Sequence, residues 1–539
     1  MKSSTYKKIY INGMYGWIKE EIYDLLPPSF FEDPVFFVKH YGGKIIKDSR
    51  HRWAGIFLLR PDQKIFLKRD RTKGWLETLK YSFLPSKGRK EWFIAYQLQK
   101  KGLPVPKPLG WMEKIHRGWV KESYYISEAI GSGVSLIELV KNKIDIPIES
   151  LAKTLRMFHD NGFFHIDLHG GNFIWNGESF FLTDLHRSKI LSSVSNNKRL
   201  WNLAQLFHSL RSMWEKKDIL FFLKKYFSPW SLDSQKEKEI FEKIQSRMLS
   251  LQRRQFKSRT KRCLKEGTEF SKLKEERIRY YHRRDFSLDL LRKNIERHQK
   301  ISREKTEDLI KNESGVSISV IKEGEGKIIV KEYHPLTLWG RFKELFRYSK
   351  GMKAWINGNG IIVRGLTALN PLGLAEERKG LGLKKSFFLM EVLEGGQELD
   401  RYLFKGFQDI FEKRDFIKTF AQWVAHLHKM EIYHRDMKAC NILVSNNKTS
   451  WDFYLLDLED IRLDRRVKTK ELFKNFLQLN TSIPCTITRT DRLRFLKEYS
   501  QLNPEFRYDR RWILCLIHES KRRGVVYVTP SGVVEERWA

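Results

Sequence analysis

Two stretches of the chain, Phe164–Asn172 and Tyr433–Asn441, set the same reactive side chains at the same spacing. In each, a His-x-Asp triplet (His165-Ile166-Asp167; His434-Arg435-Asp436) is followed by an Asn five residues after the Asp, Asn172 or Asn441. Each is trailed by an apolar run that ends in a second Asp: Phe180-Phe181-Leu182-Thr183-Asp184 and Tyr454-Leu455-Leu456-Asp457. A carboxylate that accepts a hydroxyl proton, with an amide oxygen and a second carboxylate to hold a divalent cation, is what phosphoryl transfer requires. On this reading Asp167 and Asp436 are the catalytic bases. Asn172, Asp184, Asn441 and Asp457 are the Mg²⁺ ligands, and His165 is a buttress of its loop rather than a reactant. The spacing is loosely specific once and far more so when it occurs twice.

The elements that must position these residues are duplicated too. Lys68 through Leu136 aligns with Lys331 through Leu399 without a gap, 263 residues apart (331 less 68). Ser86-Lys87-Gly88 meets Ser349-Lys350-Gly351, Trp92 meets Trp355, and Glu128 meets Glu391. Further on, Asn202 and Gln205 match Asn475 and Gln478. A period this long marks two whole domains, since solenoid repeats run only about 20–50 residues. The 539 residues also exceed what one core organises. Each half reads β-rich first (Lys64-Ile65-Phe66-Leu67-Lys68; Lys327-Ile328-Ile329-Val330-Lys331) and then helical. The expected class is α+β: two tandem protein-kinase-like bilobal domains, residues 1–252 and 313–539, each with a β-rich N-lobe and a helical C-lobe. Between them, 253–312 reads as an ordered basic connector, dense in charge (Arg253-Arg254, Lys261-Arg262, Arg283-Arg284).

In the first copy Lys68 ends an apolar strand and is placed to hold the α- and β-phosphates of ATP, with Glu91 on the following helix to orient it. Tyr124-Tyr125-Ile126-Ser127-Glu128-Ala129-Ile130 reads as a strand running into a hinge, so Glu128 joins the nucleotide-binding set. In the second copy Lys331 and Glu391 take the corresponding places. There, however, the gapless alignment sets Ala354 opposite Glu91. Either another acid orients Lys331 or this copy binds nucleotide poorly. Lys438, two residues after Asp436, brings further positive charge. Neither half has a G-x-G-x-x-G phosphate loop. Ser49-Arg50-His51-Arg52-Trp53-Ala54-Gly55 and Asn312-Glu313-Ser314-Gly315-Val316 stand in its place, with Arg50 and Arg52 as alternative phosphate cover.

Lys plus Arg number 101 against 65 acids, a net charge of +36, which speaks of partners rather than fold. Interleaved aromatics (Tyr15-Gly16-Trp17, Tyr280-Tyr281) favour an anionic membrane surface, and no recognised nucleic-acid module appears, so no specific nucleic-acid partner is expected. Four cysteines at unrelated positions form neither a disulfide framework nor a metal site. No apolar run approaches the about 18–20 residues of a spanning helix, and no secretion signal is read at the N-terminus.

At Thr183-Asp184-Leu185-His186-Arg187, Tyr433-His434-Arg435-Asp436, Lys353-Ala354-Trp355 with Val363-Arg364-Gly365, and the Asn-x-x-Gln-Leu helices, the chain resembles the lipopolysaccharide kinase (Kdo/WaaP) family. The resemblance covers most of both halves. Asp-Leu-His-Arg is its more specific part, while His-x-Asp…Asn is shared with aminoglycoside, choline and protein kinases. It implies Mg²⁺-dependent transfer from ATP to a heptose or Kdo hydroxyl of the inner core, on a lipid A-anchored acceptor. It also implies a cytoplasmic enzyme, peripheral on the inner face of the bacterial inner membrane; no obligate protein partner is inferred. The competing readings are a small-molecule or protein kinase, for which His169-Gly170-Gly171-Asn172 speaks, and a pseudokinase membrane scaffold.

Overall fold

The computed structural model describes residues 6–228, 233–313, 315–324, 326–335, 347–379, 382–446, 450–503, 506 and 509–538. The chain divides into two compact units, Met1–Gln252 and Arg253–Ala539. In the first, alternating apolar strands build an antiparallel sheet. Its members are β1 (Tyr6–Ile11), β2 (Met14–Lys19), β3 (Lys44–Asp48), β4 (Arg52–Arg60), β5 (Gln63–Arg71), β6 (Pro108–His116) and β7 (Trp119–Glu128). They lie in the order β1-β2-β6-β7-β5-β4-β3. Lys68 sits in β5 between Ala54 of β4 and Tyr125 of β7, so its side chain is fixed on one face by two neighbouring strands.

The helix Lys87–Lys100 packs on this sheet and delivers Glu91 to Lys68. The repeated Ser-Lys-Gly motif explains how. Ser86 caps the helix by accepting from the Arg89 amide (3.3 Å), and a Cβ at Gly88 would stand 2.5 Å from the Tyr124 carbonyl oxygen. The helix therefore seats directly on β7. Its counterpart Lys350–Val363 is capped by Ser349, and a Cβ at Gly351 would meet Ser386 Oγ at 2.8 Å.

The second unit repeats the sheet in the order Phe270–Glu275, Ile278–Arg283, Pro371–Lys379, Gly382–Glu391, Gly326–Tyr333, Val316–Glu323, Leu309–Glu313. This corrects the reading of 253–312 as a connector. Its residues supply the edge hairpin, the helix Leu288–Glu304 and the opposite edge strand of the second N-lobe. Edge strands keep one face and one row of amides in water, so their sequences stay charged and mimic a linker. The basic residues are also committed locally. Arg253 pairs with Glu431, Arg283 with Asp285, and Arg284 with Glu266.

Below each sheet the helical lobe forms around an amphipathic helix, Ile148–Asp160 or Ile410–Lys429. Each carries a buried histidine in the same setting. His159 contacts Tyr226 Oη (2.7 Å) and Asn202 Oδ1 (3.2 Å); His428 contacts Tyr499 Oη (2.9 Å) and Asn475 Oδ1 (3.3 Å). Burial pushes the His159 ring down to about 3 and the His428 ring to about 4. Between the unfolded value of about 6.5 and these folded values the unfolded chain binds protons that the folded rings refuse. Stability is therefore full above about pH 6.5 and falls with acid, by roughly 1.4 kcal/mol per pH unit per ring. Urea titrations at pH 7.5 and 5.0 will show a lower midpoint at the acid pH. Equal midpoints would show that these rings remain able to charge in the fold.

Candidate active site

The His-x-Asp loop of the first unit is held by the helix Asn196–Leu210. Asn202 Nδ2 donates to the His165 carbonyl (2.5 Å), and Asn202 Oδ1 accepts from the His165 amide (3.2 Å). Gln205 Nε2 donates to the Ile166 carbonyl (2.6 Å) and its Oε1 accepts from the Leu168 amide (3.4 Å). The second unit repeats the clamp. Asn475 Nδ2 donates to the His434 carbonyl (2.6 Å), Gln478 Nε2 to the Arg435 carbonyl (3.0 Å), and the Met437 amide to Gln478 Oε1 (3.1 Å). The sequence showed the Asn-x-x-Gln pattern without a role; its role is to fix the loop that carries the Asp.

The loop histidine joins the loop to the end of the strand that precedes the second Asp. His165 Nδ1 accepts from the Asp167 amide (3.1 Å), so its Nε2–H donates to the Asp184 carbonyl (3.1 Å). Burial lowers this ring to about 4, so it is neutral at pH 7 and serves as a strut. His434 does the same between the Asp436 amide (3.2 Å) and the Leu456 carbonyl (2.9 Å). Asp184 and Asp457 both adopt left-handed backbone, φ +60° and +46°. Non-glycine residues held in that region cluster at functional sites.

Around Lys68 the expected groups converge. Its Nζ lies 2.8 Å from Glu91 Oε2 and 2.5 Å from Asp184 Oδ1. Burial alone would lower this ammonium, but Glu91 and Asp184 overcome it and raise its pKa. Asp184 is held well below the usual carboxylate range: burial opposes this, and the hydrogen bond with His186 and the charge of Lys68 outweigh it. His186, unassigned from sequence, places Nδ1 at 2.8 Å from Asp184 Oδ1. Arg52 is tied to Asp70 (3.1 Å), reaches His186 Nε2 (3.4 Å) and lines the cleft beside Lys68. Glu128 pairs with Lys107 (2.6 Å) and lines the same cleft of about 1010 Å³ as Lys68, Glu91 and Asp184. Arg187 bonds the Asp167 carboxylate directly.

The second unit holds the same charges from different places. Lys331 Nζ meets Asp457 Oδ1 at 2.8 Å, and Ala354 leaves no acid on the helix. Burial would lower the Lys331 ammonium, and the charges of Glu459, in the turn directly after Asp457, and of Asp457 itself outweigh it. That turn is pinned to the helix by Asn357, whose Nδ2 donates to the Leu458 carbonyl (2.7 Å) and the Ile461 carbonyl (2.9 Å). Glu459 Oε2 is buried. Glu459 stands where His186 stands in the first unit, so helix acid and turn imidazole have become helix alanine and turn acid. The cation at the loop Asp has moved as well. Asp460 replaces Arg187, while Lys438 in the catalytic loop lies 3.2 Å from Asp436 Oδ2. Gln478 also donates to Asp436 Oδ1 (3.0 Å). Glu391 is bonded to Asn370 Nδ2 (3.2 Å) at the end of its strand. In the phosphate-loop position of this unit Ser314 lies outside the described residues.

The donor set suits Mg²⁺, which takes oxygen ligands. Asp184 and Asp457 present carboxylates. Asn441 spends its Nδ2 on the Asp436 carbonyl (2.8 Å), which leaves its amide oxygen as an acceptor. Asn172 accepts from the His169 amide (2.9 Å) with one lone pair of Oδ1 and retains the other.

Comparison with known proteins agrees with this geometry. The model of the lipopolysaccharide kinase (Kdo/WaaP) family matches residues 38–226 and again 345–499. The 3-deoxy-D-manno-octulosonic acid kinase of Pasteurella multocida (strain Pm70) is 26% identical over 181 residues, which are 32% of this chain and 74% of the relative. Among solved structures the chain is similar to WaaP in complex with acyl carrier protein (15% identity, TM-score 0.33, 41% of this chain and 91% of that one). A thermostable mutant of aminoglycoside phosphotransferase APH(4)-Ia, in ternary complex with AMP-PNP and hygromycin B, is similar at 10% identity and TM-score 0.28, over 41% of this chain and 88% of that one. The two stretches matched by the family model take in more than half of the chain, one in each unit. The chain belongs to the lipopolysaccharide kinase (Kdo/WaaP) family, phosphotransferases that act on sugar hydroxyls.

Proposed function

We propose that each unit is a complete phosphotransfer centre and that the acceptor is a Kdo hydroxyl of a lipid A-anchored inner core. The observation that carries this is that each unit assembles a bound Lys–Asp pair, a base Asp on a clamped loop, and a cation touching that base. Kdo is preferred to heptose because the Pasteurella relative is named for that sugar.

Lys68 or Lys331 would bind the α- and β-phosphates, oriented by Glu91 in the first unit and Glu459 in the second. Asn172 with Asp184, and Asn441 with Asp457, would hold Mg²⁺, which when bound supplies charge neutralisation across the phosphates. The acceptor hydroxyl gives its proton to Asp167 or Asp436 as its oxygen bonds the γ-phosphorus. The bond from that phosphorus to the β,γ-bridging oxygen breaks, and ADP leaves. Arg187 and Lys438 hold the base carboxylates in place and add positive charge at that end of the site. Among the described residues no helix is long and apolar enough to cross a membrane. With the net charge of +36, this supports peripheral attachment to the anionic inner leaflet.

Parallel assays with Mg-ATP and either a Kdo-bearing lipid A or a heptose-bearing core with its Kdo hydroxyls blocked test the acceptor. Mass spectrometry will find one added phosphate on Kdo in the first assay and none in the second. The reverse outcome would assign heptose.

A further inference from the structure

Between β5 and the helix that carries Glu91 the first unit inserts a helix, Gly74–Phe83, with its packing inverted. Surface helices turn their apolar stripe inward. This one buries only Thr78, which bonds back to the Gly74 carbonyl (3.0 Å) and Thr72 Oγ1 (3.0 Å). Its large apolar side chains face water: Trp75 is 73% exposed and Phe83 82%, with Leu76 and Leu79 exposed beside them and Leu84 following. Residues 75, 79 and 83 lie four apart, so they form one stripe along the helix. A contiguous apolar patch of this kind marks an interaction surface.

The charge beside the patch says what it meets. Lys80 lies on the same helix, Lys90 on the next, and Lys189 just after the Asp-Leu-His-Arg turn. Burial and then the charges of Lys189 and Lys80 push the Lys90 ammonium below its ordinary value, so the cations crowd one another. Their complement is a dense array of negative charge. A Trp- and Phe-bearing stripe next to crowded lysines is the composition of a helix lying in an anionic lipid interface.

The second copy supplies an independent sign. In the gapless alignment Leu338, Trp339, Phe342, Lys343 and Phe346 stand at the positions of Trp75, Leu76, Leu79, Lys80 and Phe83. The polar positions between them change, Glu77 to Gly340 and Tyr81 to Glu344, so the apolar stripe with its lysine is what the repeat retains. Those second-copy residues lie outside the described residues, and the inference rests on the first copy's geometry.

We propose that the helix Gly74–Phe83 docks the first unit onto a bilayer containing anionic lipid, with Trp75, Leu79 and Phe83 in the headgroup–acyl boundary and Lys80, Lys90 and Lys189 on the lipid phosphates. This deepens the reading of a lipid-anchored acceptor. It brings the cleft to the membrane by a segment that contributes no residue to the Lys68–Asp167–Asp184 set.

The test is flotation of the full chain with phosphatidylglycerol-containing vesicles, beside phosphatidylcholine vesicles, without ATP. The wild type will float with the anionic vesicles, and 1 M salt will weaken binding as the screening length falls from about 10 Å to about 3 Å. The triple variant Trp75→Ser, Leu79→Ser, Phe83→Ser will bind about tenfold or more weakly. Its far-ultraviolet dichroism and its transfer to a soluble, deacylated core acceptor will match wild type. Lys80→Glu, which leaves the apolar stripe intact, will reduce binding to the anionic vesicles alone. Equal flotation of wild type and the triple variant, as would follow if the helix received a protein instead, overturns the proposal. So does equal wild-type binding to both vesicle types. Because flotation is read without turnover, these outcomes are scored apart from any failure of the phosphotransfer reading.

Discussion

Asp167→Asn combined with Asp436→Asn will reduce phosphate transfer to the core acceptor by about 10²–10⁴-fold, the span of a positioned general base. Asparagine keeps the size and most of the bonding of each side chain. The Asp436 site shows this most clearly, because Gln478, Lys438 and Asn441 all contact that carboxylate or its backbone. The fold will therefore survive, and nucleotide affinity will change little, since neither Asp touches Lys68 or Lys331. Each single variant will silence only its own unit, and the residual rate will report the share of the other. Full activity in the double variant would remove both loops from the chemistry. An unchanged rate in one single variant would mark that unit as silent toward the acceptor used.

Glu459→Gln will weaken nucleotide turnover in the second unit although it leaves the Lys331–Asp457 contact in place. Lys331 is buried with two principal negative neighbours, Glu459 and Asp457. Removing the first leaves the ammonium with its contact to Asp457, the proposed metal carboxylate, and the charge of Asp460. Taking a negative charge away from near a buried ammonium is unfavourable. In a full chain whose first site is disabled by Lys68→Met, nucleotide turnover will fall by about 10–100-fold. Adding Ala354→Glu, which restores an acid at the place Glu91 occupies, will recover most of the loss. A merely structural role for Glu459 would not be rescued from the helix, because Asn357 already anchors the turn through backbone carbonyls. Wild-type turnover in Glu459→Gln, or failure of Ala354→Glu to restore it, would show that Lys331 is oriented by other means.

The reach of the sequence differed from element to element. The Lys68–Glu91–Asp184 convergence was legible because each residue sits at a fixed place on a regular element. Strand period, helix period and an invariant spacing carried the whole inference. The second N-lobe was half hidden, since its outer hairpin and helix, Phe270–Arg283 and Leu288–Glu304, carry the charges of a sheet edge and were read as a connector. The β-forming run Ile278-Arg279-Tyr280-Tyr281 was the signal that would have recovered it. Glu459 was out of reach for another reason. Alignment asks what replaces a residue at its own position, and at that position the answer is Ala354. The compensating charge comes from a turn more than a hundred residues away, which only the packing of the helix against that turn brings to Lys331. The cation beside Asp436 was within reach, because Lys438 stands only two residues after it in the chain.

Two complete centres in one chain is the central claim, and counting nucleotide sites tests it most directly. Calorimetric titration of the full chain with a non-hydrolysable ATP analogue and Mg²⁺ will give two sites per chain. Lys68→Met and Lys331→Met will each remove one, and the two together will remove both. A single site in the wild type, lost with Lys68→Met and untouched by Lys331→Met, would contradict the account and leave the second unit as a scaffold.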